Sequence, residues 1–128
     1  MKIRKAAAIY SIFMGTSMIV IWIMFYTTGE IPEIYSKPIE IGMHVAAEIV
    51  TAIALIVGGL GILINREWGF QIYLISMGML MYTLIMSPGY FIQQGELAFA
   101  GMFAIFIIFA VSFIVLSFLK KDDFKTKT

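Results

Sequence analysis

Four long stretches of this chain carry no acidic, basic or histidine side chain, and that pattern decides most of what it can fold into. They run over 6–28, 49–65, 68–94 and 97–119, and the second extends upstream through a weakly polar stretch to Ile41. A run such as 97–119, wound as helix, is about 34 Å long, enough to cross a hydrocarbon core of roughly 30 Å. The expectation is an all-α, polytopic membrane protein, a single domain forming a four-transmembrane-helix bundle with spans near 6–28, 41–64, 68–87 and 96–119. Composition agrees: 61% of the 128 residues are apolar and 13% charged, too few polar groups to clothe a soluble domain. Lys2, Arg4 and Lys5 precede the first run as they would in a signal peptide, but its apolar region is too long and no small-residue cleavage site follows, so it reads as a retained span.

The few charges then set an orientation. With the amino terminus cytoplasmic, Lys2, Arg4, Lys5, Arg66, Lys120, Lys121, Lys125 and Lys127 lie inside and only Lys37 lies outside, so eight of the nine basic residues obey the positive-inside rule. The location expected is the cell membrane, multi-pass, with both termini cytoplasmic. The outer loops carry Glu30, Glu33, Glu40 and Glu96. Nine basic against eight acidic residues leave +1 overall, which gives nucleic acid no footprint, and without cysteine there is no disulfide, thiol catalysis or iron–sulfur ligation. Asn65-Arg66-Glu67 forms a tight inner turn, Pro88-Gly89 is expected to stop the third helix, and the tail after Leu119 reads as a solvated end.

In a bilayer, small and polar residues report helix contacts better than apolar ones do. At 100° per residue, Glu40, His44, Ala47, Glu48, Thr51, Ala54, Leu55 and Gly58 share one face of the second span, opposite Val45, Ile49, Ile53, Ile56, Leu60 and Leu63. Weaker stripes are Ser11, Gly15, Met18, Trp22 and Tyr26 on the first span, Gln71, Ile75, Gly78 and Tyr82 on the third, and Gly101, Ile105, Ile108 and Ser112 on the fourth. Packing all four stripes inward closes the bundle. Met77, Met79, Met81 and Met86 point to different sides of one helix, which suits adaptable packing better than a copper path.

Glu48 is the one acid well inside a span, and His44, the only histidine, lies one turn above it. A charge at mid-span costs ~3 kcal/mol on insertion scales, so the side chain must face the bundle and find partners. Eight residues of helix below Glu40 put it about 12 Å deep. The candidate ligand-binding set is Glu48, His44, Tyr82, Trp22, Tyr26 and Thr51, around a pocket opening outward with Gln93 and Gln94 near its mouth. One histidine and one or two acids on a single helix supply too few ligands for a metal, and no cofactor is expected. Three roles stay open beside the purely structural one, in which the pair only satisfies itself: a site for a small or lipid-like ligand, acting alone or as an accessory subunit; a dimeric proton-coupled small-molecule transporter; and an intramembrane acid–base enzyme on an apolar substrate. A homodimer or a larger membrane complex is equally allowed.

The segment from His44 through Glu48 and Gly58-Gly59-Leu60-Gly61 to Leu63, followed by a basic turn and a third span to Tyr82, resembles the second and third helices of small DoxX-like four-helix membrane proteins. The resemblance implies a four-helix bundle with an acid opening a small-residue-rich helix. In size and span number the chain is also similar to small multidrug-resistance transporters. It departs from them in having no acid in its first span, and its charge bias opposes the dual topology of that group.

Overall fold

The computed structural model describes residues 2–29, 33–93 and 95–124. Glu30, Gln94, Lys125 and Lys127, named above, lie outside them, as do the side chains of Lys2 and Glu33. The elements are α1 (Lys2–Thr28), a one-turn α2 (Glu33–Ser36), α3 (Pro38–Leu63), α4 (Glu67–Gln93), α5 (Leu97–Leu119) and a 3-10 turn, Lys121–Phe124. Four of these helices are long and apolar enough to cross a membrane, and the described residues contain no strand. The protein is an all-α, multi-pass four-helix bundle. Pro38 opens α3 at a position where its missing N–H costs nothing.

α3 is the centre of the arrangement, and glycine explains why. It packs on α1 along one side and on α4 along the other, and α5 packs on α4. A Cβ at Gly15 of α1 would sit 2.5 Å from the Ala52 carbonyl oxygen, and one at Gly59 2.9 Å from the Ala8 carbonyl oxygen. On the other side a Cβ at Gly58 would meet the Tyr73 backbone nitrogen at 2.6 Å, and Gly61 and Gly69 face each other. Two helix backbones thus touch α3 with no side chain between them, the close approach by which helices associate in lipid. Ser11 fastens the first contact, donating its hydroxyl to the Leu55 carbonyl at 2.6 Å.

α5 closes back on α1 through large side chains. The Tyr10 hydroxyl donates to the Phe106 carbonyl at 2.8 Å, and its ring packs against Phe109 and Phe113. Between α4 and α5, Tyr73 and Ser117 share a buried hydrogen bond of 3.0 Å.

At the end of the bundle that carries both termini, the α3–α4 turn is built on Asn65, whose φ of 62° is left-handed. The Arg66 N–H reaches back to the Gly61 carbonyl and the Asn65 N–H to that of Ile62, the pairing that satisfies the last carbonyls of a helix. Arg4 then donates to the Ile62 carbonyl and to the Asn65 side chain, tying α1 to the turn. Asn65→Ala is expected to cost about 1 kcal/mol for the left-handed backbone, whereas Asn65→Gly keeps the turn and loses only the Arg4 partner. Melting curves of the two variants in detergent separate these terms.

Four expectations are corrected. Helix α4 runs through Pro88 to Gln93, and Gly95 beyond it has a φ of 80°. Proline removes one donor, and in a medium without water the neighbouring backbone groups are still best satisfied by continuing the helix. The α4 stripe faces away from the bundle: Gln71, Ile75, Gly78 and Tyr82 are exposed, and the buried side is Tyr73, Ser76, Met77, Leu80 and Leu84. On α5, Gly101, Ile105, Ile108 and Ser112 are likewise exposed, while Ala110 and Ser117 are buried. The described part of the tail is not wholly solvated: Phe124 is buried, stacked on Tyr73 and tilted against Phe70, with ring centroids 5.9 and 5.1 Å away. Phe124→Leu keeps the apolar volume and removes the stacking, for an expected loss of about 1 kcal/mol, readable as a lower melting temperature.

Candidate functional site

Burial along α3 begins at Glu48, which is 7% exposed. Its carboxylate Oε2 lies 3.3 Å from Nε2 of His44, one turn nearer the end of the bundle that carries the α1–α3 and α4–α5 connections. The imidazole is about half exposed. Trp22 of α1 packs edge-on against it, centroids 5.9 Å apart. The acid therefore sits in the α1–α3 seam, with an imidazole and an indole as its neighbours. Thr51, one further turn along, is buried and spends its hydroxyl proton on the Ala47 carbonyl at 2.8 Å, leaving its oxygen lone pairs as acceptors.

Between α3 and α4 lies a groove of about 480 Å³, lined by His44, Ala46, Ala47, Glu48, Val50 and Thr51 from α3 and by Met79, Tyr82 and Thr83 from α4. Its size falls within the range of small-molecule sites. It exists because α3 and α4 are pressed together by Gly58, Gly61 and Gly69 near one end and have no glycine contact at the level of Glu48. Alanines at 46 and 47 leave the space that larger residues would fill. Both walls lie at mid-span, and Val50 and Tyr82 are more than half exposed. The groove therefore opens on the flank of the bundle, part-way along α3 and α4.

The structure brings together four of the six expected residues, Glu48, His44, Thr51 and Tyr82, around this groove. Trp22 stands behind it, on the α1 side of His44. Tyr26, 70% exposed and one turn beyond Trp22, does not belong to the lining. The cause is the position of α1, which packs on α3 across from α4, so side chains of α1 and α4 do not share a wall. Gln93 is exposed and off the groove, near the end of α4. Sequence reasoning missed Met79 and Thr83; Thr83, one residue after Tyr82 and a hydroxyl inside an apolar span, was the available signal. Among the described residues no three His, Asp or Glu side chains converge in a way that could hold a metal.

The fold and groove define a multi-pass membrane protein with a laterally open, acid-containing cleft. The chain matches the family described as Domain of unknown function (DUF8058) over residues 1–128, and it belongs to that family. No curated protein and no solved structure matches it.

Proposed function

We propose that this protein is a binding protein of the cell membrane, oriented with both termini in the cytoplasm, whose α3–α4 groove takes a small amphiphilic, lipid-like ligand. The observation that carries the reading is the groove itself: an almost wholly apolar cleft between α3 and α4, along Ala46, Val50 and Met79, to which Glu48, His44 and Thr51 contribute a small polar part. A polar head entering from the bilayer would meet the polar residues while its chain stays against apolar ones, so neither end is left in the wrong medium. The eight basic residues on one side support the orientation. The role suits a protein acting alone or as the accessory subunit of a larger complex. No reacting group is required by this arrangement, and the site is read as binding rather than catalytic.

The test is to fill the space. Ala47 lies in the groove wall on the exposed side of α3, so Ala47→Phe is expected to occupy the cavity and leave the α1–α3 and α3–α4 seams intact. Native mass spectrometry of protein released from membranes should show a bound amphiphile on the wild type and none on the variant, at equal melting temperature. Equal retention by both would remove the groove as the site.

A further inference from the structure

We propose that the head group taken by this groove is a cation, an ammonium-bearing amphiphile, rather than an anion such as a phosphate or sulfate; this rests on the groove being the binding site. The charges in its lining carry the argument. Of the nine lining residues, none is Lys or Arg, and the only acid is Glu48. At the connection end of the bundle the one basic residue is Lys37, exposed at the start of α3 about two turns above His44. An anion entering the groove would lose its hydration beside a carboxyl group, with no permanent cation to receive it.

The opposite charge is served from three directions. Among the described residues the charged partner of the buried Glu48 carboxyl is His44, an imidazole that carries charge only when protonated. A permanent cation would give that acid the counter-charge it lacks. Thr51 has committed its hydroxyl proton to the Ala47 carbonyl, so its oxygen presents acceptor lone pairs. Tyr82 contributes an aromatic ring from the α4 wall, a surface that attracts ammonium groups. The lateral opening admits a molecule already dissolved in the bilayer, which a hydrophobic chain on the cation would ensure.

The test uses the full-length protein in lipid nanodiscs, with Trp22 as the reporter because it packs on His44, in a Trp68→Phe background that leaves it as the single tryptophan. Three probes with the same brominated ten-carbon chain are compared: a trimethylammonium, a sulfate and an alcohol. Quenching in the Ala47→Phe variant gives the background from simple partition into the bilayer. The expected result is saturable quenching by the ammonium probe alone, weakened at least tenfold by Glu48→Gln, which keeps the shape of the side chain and its hydrogen bond to His44. Glu48→Asp, which keeps the charge, should retain most of the binding if the charge is what matters, and guards against a misfolded glutamine variant. Saturable binding of the alcohol as tight as that of the ammonium, unaffected by Glu48→Gln, would overturn the cation assignment while leaving the groove in place. Preference for the sulfate would overturn it as well. If no probe shows saturable quenching above the Ala47→Phe background, the groove reading fails together with the assignment.

Discussion

Gly58→Leu is expected to destroy the packing of the bundle while leaving four helices in the membrane. A Cβ at that position would lie 2.6 Å from the Tyr73 backbone nitrogen and 2.7 Å from its Cα, and backbone atoms cannot rotate away as a side chain can. Overpacking of a fitted core costs about 1–3 kcal/mol, and here the intruding group must push α3 and α4 apart at the glycine seam that Gly61 and Gly69 continue. The hydrogen bond between Tyr73 and Ser117 and the stacking of Phe124 depend on the same stretch of α4, so they are expected to loosen with it. Insertion of the spans is governed by their hydropathy and survives, because helices are stable in lipid before they associate. The internal control is Gly78→Leu, which lies on the same helix as Tyr73 but has nothing within 4 Å of its own Cβ position. Thermal unfolding in detergent should show a large fall for Gly58→Leu and almost none for Gly78→Leu.

Glu48→Leu should move stability and binding in opposite directions. The His44–Glu48 pair is an i, i+4 contact within one helix, worth about 0.3–0.5 kcal/mol, and it joins no two spans. The carboxyl meanwhile carries a burial cost of up to ~3 kcal/mol at mid-span. Leucine removes the cost, so the variant is expected to melt higher than the wild type while losing the amphiphile from the groove. Such a trade of stability for function is what a binding site built into a packed fold produces. If the acid were only a brace between helices, the leucine variant would instead melt several degrees lower, and the sign of the change distinguishes the two roles.

The four long helices could be read from the sequence because charges are rare in it, and apart from Glu48 they flank the apolar runs. The α3 face could also be read, since Glu48, Thr51 and Gly58 segregate from the branched aliphatic residues and fall where the structure buries them. The α4 and α5 faces could not. Tyr73, Met77, Leu80 and Leu84 form the buried side of α4, and bulky apolar residues look the same whether they meet lipid or protein. Glycine misled where it has no partner: Gly78 and Gly101 face open space, while Gly58, Gly59 and Gly61 each meet another helix. Which glycine is used depends on what stands across from it, and a single helix does not record that. Phe124 was hidden by its charged neighbours, although a lone aromatic among lysines and aspartates was the clue. At the site, the acid and its histidine were legible, and so were Thr51 and Tyr82. The exclusion of Tyr26 and the sideways opening both follow from α1 packing across α3 from α4, a fact of assembly order rather than of helical periodicity.

An electron cryomicroscopy map of the protein in nanodiscs, purified without stripping its lipids, tests the groove most directly. The expected map holds an elongated density between α3 and α4, its head beside Glu48, Thr51 and Tyr82 and its tail along Val50 and Met79 toward the bilayer. A groove closed by Met79 and Tyr82 folded against Ala46 and Ala47, dry and without added density, would refute the binding site.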